Sequence, residues 1–445
     1  MPVEQRSAIG DAPRASEVRP PSSSATRDRS AAVRWGVVGL LTLGMINAYV
    51  DRVNLSIALP EMTRTFDLGP NAAGLALSAF FWSYALFQIP AGLLVDRFGV
   101  RSLYIYGLVL WSVAAAGTAL TTSLGWLLAM RLLLGVGESV VAPASMRYIR
   151  AHFDERQRGL AVGLYMTGTK IGPAIGFPVA GFLMLTYGWQ LMFVILGIGG
   201  LLWLIPWVWL VKRDDVAAVP PDAYISVSGA GIASAAHQTV SWREMGRSPV
   251  IWGTALGTFC YMYFVYYCMT WMPSYFKEVY GMSLSEMGWY SGISFAGMAV
   301  VAALGGWAAD QCISRGFDAV PVRKSFILTG FALAATQTVG VFTESPPVML
   351  FFAVFSLCGL GLATANYWAL TQTLIPSGSI GIVVGFQNTA ANVAGIAAPW
   401  VTGWMVAQTG SFDAPIKATG VWLIVGAASY VFLVREKYAP KRQGI

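Results

Sequence analysis

Apolar residues along this chain come in long uninterrupted runs rather than in alternating stripes. A bilayer core of about 30 Å needs about 20 apolar residues per crossing helix, and twelve runs meet that length. Six lie at roughly 34–60, 71–94, 102–121, 124–148, 158–186 and 189–211. A polar stretch with Pro220-Pro221 and a Gly/Ser/Ala run interrupts the series at 212–248. Six more runs follow at roughly 250–275, 285–309, 323–343, 346–374, 380–408 and 416–434. A transmembrane barrel would show short alternating segments instead. The pattern predicts an all-α membrane protein with twelve transmembrane helices in two six-helix bundles, 34–211 and 249–434. It also predicts a disordered N-terminal tail over 1–33, a central loop over 212–248 and a C-terminal tail over 435–445, all on the cytoplasmic side.

The two halves repeat. The second run ends in Gly92-Leu-Leu-Val-Asp96-Arg97-Phe98-Gly99-Val100-Arg101, and the eighth in Gly306-Trp-Ala-Ala-Asp310 followed by Arg315-Gly316. The paired Gly-xxx-Asp sequences lie one half-length apart, as two pseudo-symmetric bundles require. Basic residues give the orientation. With the N-terminus inside, 23 of the 29 Lys and Arg fall in inner segments, three (Arg64, Lys277, Lys417) in outer loops and three within helices. That asymmetry is the positive-inside pattern and places both termini in the cytoplasm.

Composition agrees with the pattern and removes other classes. Of 445 residues, 56% are apolar and 11% charged, against about a quarter charged in soluble domains. Mean hydropathy is +0.59. A soluble enzyme or a disordered chain is excluded. The net charge of +7 is spread over short loops, so topology rather than nucleic acid accounts for it. Cys260, Cys268, Cys312 and Cys358 form no disulfide framework and no Cys/His metal spacing, so no cofactor or metal is expected. The tail carries Glu4, Asp11, Glu17 and Asp28 and lacks an apolar stretch, which fits neither a transit peptide nor a secretory signal.

Five ionisable residues sit where charge is expensive: Asp51, Arg52, Arg131, Glu138 and Lys170. Facing lipid, each would cost about 2.5–3.5 kcal/mol on insertion scales, so they face protein or a wet cavity. Rise per residue puts all of them near mid-membrane. Fully ionised, the group carries three positive charges and two negative, leaving a place for an anion. Arg52 suits a substrate carboxylate because its guanidinium offers a fork and keeps its proton; the alternative is a static pair with a carboxylate. Glu138 and Asp51 are the candidate proton carriers, Asp51 alternatively a fixed partner of Arg52 or Arg131. Arg131, two turns from Glu138 on one helix face, is expected to position it. Lys170 either holds a second anionic group of the substrate or neutralises Glu138. Both histidines, His152 and His237, fall in loops, so proton coupling must rest on the two carboxylates.

Neutral polar positions fill out a cavity: Ser83, Tyr84 and Gln88 on the second run, Tyr263, Tyr266, Tyr267, Thr270 and Trp271 on the seventh, Asn366, Tyr367, Thr371 and Gln372 on the tenth, and Gln387, Asn388 and Asn392 on the eleventh. Interhelical hydrogen bonding would account for any one of them equally well. Gly168, Gly172, Pro173, Gly176 and Gly181 in the fifth run, and Gly385, Gly395 and Pro399 in the eleventh, suit close packing or bends between bundles.

Gly92-xxx-Asp96-Arg97-x-Gly99-x-Arg101 resembles the loop signature of the major facilitator superfamily. Arg131-xxx-Gly135-x-Gly137 and Gly168-xxx-Gly172-Pro173-xx-Gly176 resemble its fourth- and fifth-helix motifs, and the resemblance covers about 34–434. Within it, Tyr49-Val-Asp51-Arg52-Val-Asn-Leu-Ser56, and Arg131 with Glu138 ahead of Ala142-Pro143-Ala144, resemble the anion:cation symporter family. That family includes permeases for D-galactonate, hexuronates, glucarate, tartrate and phthalate, vesicular glutamate transporters and sialin. The resemblance implies that Arg52 binds the substrate carboxylate, that Asp51 and Glu138 carry protons, and that Tyr84, Gln387 and Asn388 line the site. Gly92, Asp96, Arg97, Gly99, Arg101 and Asp310 would form the gating loops, with Asp96 at a neighbouring helix N-terminus. Two departures stand out: Asp310 is followed by Gln311 rather than Arg, and Lys170 matches no motif and leaves a dicarboxylate open.

The sequence thus points to a transporter and not an enzyme. Its expected partners are a small organic anion, protons and the lipid bilayer, and it is expected to work as a monomer in a bacterial inner membrane. A sugar acid is the first substrate class. Aromatic carboxylates or dicarboxylates, exchange in place of proton symport, and a non-transporting solute sensor are the alternatives.

Overall fold

The computed structural model describes residues 30–212, 246–343, 345–376 and 379–439. The tail up to residue 29, residues 213–245 of the central loop with His237, and residues 440–445 lie outside the described residues. Every regular element among the described residues is helical.

Ten stretches are long and apolar enough to cross a membrane. In the first half these are α1 (Ala31–Thr65), α2 (Pro70–Phe98), α3 (Val100–Leu120), α4 (Leu124–His152) and a 55-residue stretch, Arg156–Leu210. Gly188 divides that last stretch with φ 79 and ψ 167, giving α5 (155–187) and α6 (189–210). In the second half α7 is Pro249–Tyr280, whose six tyrosines make it less apolar than the rest. It is followed by α8 (Leu284–Ser314), α9 (Ala319–Phe342), α10 (Pro346–Leu374), α11 (Ile380–Thr409) and α12 (Asp413–Phe432). Splitting the long stretch and adding α7 gives the twelve crossings.

The helix ends follow local chemistry. Ser283 and Glu286 form a reciprocal capping box at the start of α8. Proline occupies the first turn of α2, α7 and α10, where its missing N–H loses nothing. Gly281 and Gly410 end α7 and α11 in the left-handed conformation.

Four crossings depart from the continuous helices expected. α3 ends in a 3-10 turn over Thr118–Leu120, and α6 carries one over Leu201–Trp203. α4 is interrupted at Ser139-Val140, between Leu124–Glu138 and Val141–His152. Pro143 explains this, because its ring would meet the Ser139 carbonyl and it has no N–H to donate there. The last turns of α9 tighten into a 3-10 helix over Thr336–Phe342.

The outer surface is apolar: Trp209 is 81% exposed, Ile89 77% and Leu86 71%. Such a girdle is stable only against lipid. Within the first half α5 lies along α1, and α4 packs on α2 and α3. Between halves α2 meets α11 and α5 meets α8, the same pairing with the halves exchanged, and α1 meets α7. Glycine makes these seams close. A Cβ on Gly74 would lie 2.7 Å from the Pro399 carbonyl oxygen, and one on Gly288 2.9 Å from that of Phe177. Both seams run along the half of the protein away from residues 31 and 432, called here the far face; the opposite one is the terminal face.

Candidate functional site

Arg52 is the centre of the buried charge. Its Nε and Nη2 both donate to Glu138 Oε2, each at 2.9 Å. The rings of Tyr49, Phe80 and Tyr84 lie 4.4, 4.7 and 4.6 Å from its Cζ, forming an aromatic cage. Tyr49 is one turn before Arg52 on α1. Phe80 and Tyr84 are one turn apart on α2 and stack at 5.3 Å. The fork is half used, since Glu138 Oε1 has no hydrogen-bond partner.

The fourth-helix motif is what allows this approach. Gly135 abuts α2 so closely that a Cβ would lie 2.9 Å from the Tyr84 nitrogen, and a Cβ on Gly137 would lie 2.7 Å from the Trp111 nitrogen on α3. α4 can therefore reach both neighbours, and Glu138, its last residue before the break, arrives under the Arg52 cage.

Asp51 points to the other side of α1. Its Oδ1 accepts from Asn54 Nδ2 at 3.2 Å, while Oδ2 and the adjacent indole N–H of Trp111 make no hydrogen bond. Arg131 is 3% exposed, has Phe193 5.9 Å from its guanidinium, and lies within ion-pair distance of no carboxylate among the described residues. The direct ion pair of Glu138 among the described residues is across helices, with Arg52 and not with Arg131. Arg52 and Arg131 instead line one small cavity with Leu55, Leu77, Phe80, Phe81, Met269 and Thr270, the last two from α7. Lys170 is partly buried, 5.8 Å from the Tyr261 ring, and forms no ion pair with Glu138.

The α11 amides separate. Asn388 Nδ2 donates to Gln88 Oε1 on α2 at 2.9 Å, with Asn392 Nδ2 3.5 Å from the same oxygen, so these residues bridge the bundles. Gln387 is turned into its own bundle. It is fully buried and its Nε2 donates to Thr371 Oγ1 at 3.0 Å and Thr258 Oγ1 at 3.2 Å. The structure does not bring it to Arg52.

At the terminal face Asp96 pairs with Arg147 of α4. Gly99 turns the chain between α2 and α3 at φ 80, a conformation that excludes other side chains. Arg101 Nη2 donates to the Val208 carbonyl at 3.2 Å and Trp207 Nε1 to the Arg101 carbonyl at 3.3 Å, tying the turn to α6. Gly92 has only an ordinary contact, with Pro143, and Arg97 lies over its neighbour Phe98. In the second half Arg323 donates to Asp310 Oδ1 at 2.9 Å and to Asn366 Oδ1 at 3.3 Å, so the degenerate copy keeps its acid–base contact without the adjacent arginine. Among the described residues no His/Cys/Asp/Glu group is placed to hold a metal ion.

Sequence reasoning missed the cage and the Asp51 surroundings. The cage had a signal, in Tyr49 with Arg52 and Phe80 with Tyr84 at one-turn spacing. Trp111 had none, being one apolar residue among many.

The sequence profile of the Major Facilitator Superfamily matches residues 41–399. The chain is 27% identical over 415 residues to the D-galactonate transporter of Escherichia coli O6:H1, covering 91% of this chain and 96% of that protein. It is 29% identical over 415 residues to the chloroplastic sodium-dependent phosphate transport protein 1 of Arabidopsis thaliana, covering 91% and 80%. The crystal structure of a bacterial homologue of the human lysosomal transporter Spinster has the same fold, with a TM-score of 0.76 at 20% identity over 93% of this chain and all of that one. Taken with the twelve helices, the paired bundles and the charged interior, these likenesses identify a membrane transporter rather than an enzyme: the chain belongs to the Major Facilitator Superfamily.

Proposed function

We propose that this transporter couples protons to the uptake of an organic carboxylate, with a sugar acid such as a hexonate as the first class. The observation that carries the proposal is the caged Arg52–Glu138 pair at the edge of an inter-bundle cavity. A buried arginine must keep an anionic partner, because breaking such a pair costs about 3–5 kcal/mol. Protonation of Glu138 removes that partner, and a substrate carboxylate restores it. Asp51, with one oxygen unsatisfied, is the second proton site, and Arg131 keeps the carboxylates within a positive field. Tyr84 bounds the anion pocket, and Asn388 with Gln88 closes the seam beside it.

The excess of Lys and Arg in segments at the terminal face supports a cytoplasmic position for that face and for both termini, in a bacterial inner membrane. The glycine-tight seams at the far face then close the route to the outside, so this conformation faces inward. Alternating access follows if the bundles rock about the central site, with Asp96–Arg147 and Asp310–Arg323 latching each bundle at the cytoplasmic side. The relative named for D-galactonate transport supports the substrate class.

The test is uptake of labelled D-galactonate into proteoliposomes under an imposed pH gradient. Wild type accumulates substrate with the gradient. Arg52→Ala abolishes uptake, and Glu138→Gln abolishes gradient-driven accumulation. If both variants accumulate substrate like wild type, the proposal is wrong.

A further inference from the structure

We propose that the central site takes a dianion with a carboxylate at each end, and that Lys170 holds the carboxylate distal to Arg52. The proposal rests on the organic-carboxylate reading above and narrows it. It begins with where α5 stands. A Cβ on Gly168 would lie 2.8 Å from Met45 Cβ, one on Gly172 3.0 Å from the Ile46 carbonyl oxygen and one on Gly176 3.1 Å from Val50 Cα. α5 is therefore pressed along α1 in parallel register, and Lys170 is level with Gly44–Asn47. That is about two helical turns, or ~10 Å along the axis, from Arg52 on the terminal-face side.

The opposite side of α5 is the inter-bundle seam. Ala174, Phe177, Pro178 and Gly181 meet α8 there. Lys170 continues this row one turn beyond Ala174, and its Nζ faces Tyr261 of α7 at 5.8 Å. Tyr261 is held in place: its hydroxyl is 2.7 Å from Thr364 Oγ1 and its ring packs on Tyr367 at 4.8 Å. Lys170 thus projects between the bundles and not towards lipid.

Among the described residues the lysine forms no ion pair. Glu138 is taken by Arg52 and Asp51 is turned towards Asn54 and Trp111. An ammonium at this depth is expensive unless it finds a partner or water. Arg52 and Lys170 are therefore two cations at one interface, one about two turns below the other, with Tyr49 and Tyr84 around the first and Tyr261 beside the second. Once Glu138 is protonated, the five interior groups sum to two positive charges. A monocarboxylate neutralises one of them, whereas a dicarboxylate neutralises both. The hydroxyl and ring faces between them suit either a polyhydroxylated or an aromatic dicarboxylate.

Equilibrium binding by the purified full-length protein decides it, with two ligand pairs that differ by one carboxylate: galactarate against D-galactonate, and terephthalate against benzoate. Wild type is expected to bind the diacid of one pair about tenfold more tightly than its monoacid, the size of one charge-assisted contact. Lys170→Gln removes that preference while monoacid affinity stays within about twofold, Lys170→Arg retains it, and Arg52→Ala abolishes binding of both. Which pair responds identifies the polyhydroxylated or the aromatic class. The inference is overturned if wild type prefers the monoacids, if the preference survives Lys170→Gln, or if that variant weakens both ligands equally. In those cases Arg52-dependent monoacid binding still stands. If wild type binds neither member of either pair, the carboxylate reading falls and this inference falls with it.

Discussion

Replacing Glu138 by leucine isolates the energetics of the caged arginine. The Arg52 side chain is 5% exposed and that of Glu138 fully buried. Removing one member of such a pair leaves an uncompensated charge and costs about 3–5 kcal/mol. The cage offsets part of that, because an arginine over an aromatic face gains about 0.5–2 kcal/mol and three rings surround this one. The loss should therefore be about 3 kcal/mol, the low end of the range for a broken buried pair. If the first six-helix bundle unfolds as a unit of about 180 residues, the Tm falls by on the order of 5–10 °C. Glu138→Gln should fall less, since its amide oxygen still accepts from the guanidinium. The double variant Arg52→Met/Glu138→Leu should regain most of the loss, giving a coupling energy of about 2–3 kcal/mol in a double-mutant cycle. Thermal unfolding of the detergent-solubilised protein, followed by tryptophan fluorescence, measures all three. Additivity of the two single changes would refute the reasoning, and so would a Glu138→Leu variant as stable as wild type.

Other outcomes follow from the same structure. Gly74→Leu should prise apart the α2–α11 seam and open a second cavity at the far face, lined by Pro60, Ala73, Trp271, Ser274 and Val406, read as faster alkylation of a cysteine placed at the buried Ser274 of α7. Asp96→Asn should change stability by no more than about 1 kcal/mol, because its carboxylate is 37% exposed and such pairs are weak, yet should slow uptake if the contact is a latch. Gly99→Ala forces a side chain to φ 80 and ψ 160 and should cost about 1–3 kcal/mol in thermal unfolding. Gln387→Leu should lower the Tm while leaving substrate affinity within about twofold, since the amide is bonded to threonines of its own bundle; a selective loss of affinity would return it to the binding site.

The sequence is most legible where one variable, apolar run length, decides the structure. All twelve crossings can be found that way, including α7 with its tyrosines. The linked loop copies at Asp96 and Asp310 also reveal the pairing of halves. Pro143 removes a hydrogen bond at the break in α4, but prolines inside the unbroken runs of α1, α2, α5, α7 and α11 show that packing decides whether a helix yields there. The partner of Glu138 was not legible either. Arg131 and Glu138 share a helix face, but seven residues separate them by about 10 Å along the axis, beyond ion-pair reach. The true partner is 86 residues away, and no periodicity reports which helices become neighbours. Gln387 and Asn388 show the same limit: adjacent in sequence, they point about 100° apart on a helix, and only packing decides which one meets the other bundle.

The distance in sequence between Arg52 and Glu138 also bears on how the protein is made. The first helix enters the membrane carrying Asp51 and Arg52, each worth about 2.5–3.5 kcal/mol against insertion. Glu138 is translated 86 residues later, about 4–17 s at ribosomal speeds of roughly 5–20 residues per second. Through that interval the arginine has no acidic partner from the fourth helix. α1 must therefore wait in a hydrated or proteinaceous setting until α4 arrives, and its residence beside the insertion machinery is set by the time taken to translate α2 and α3 between them.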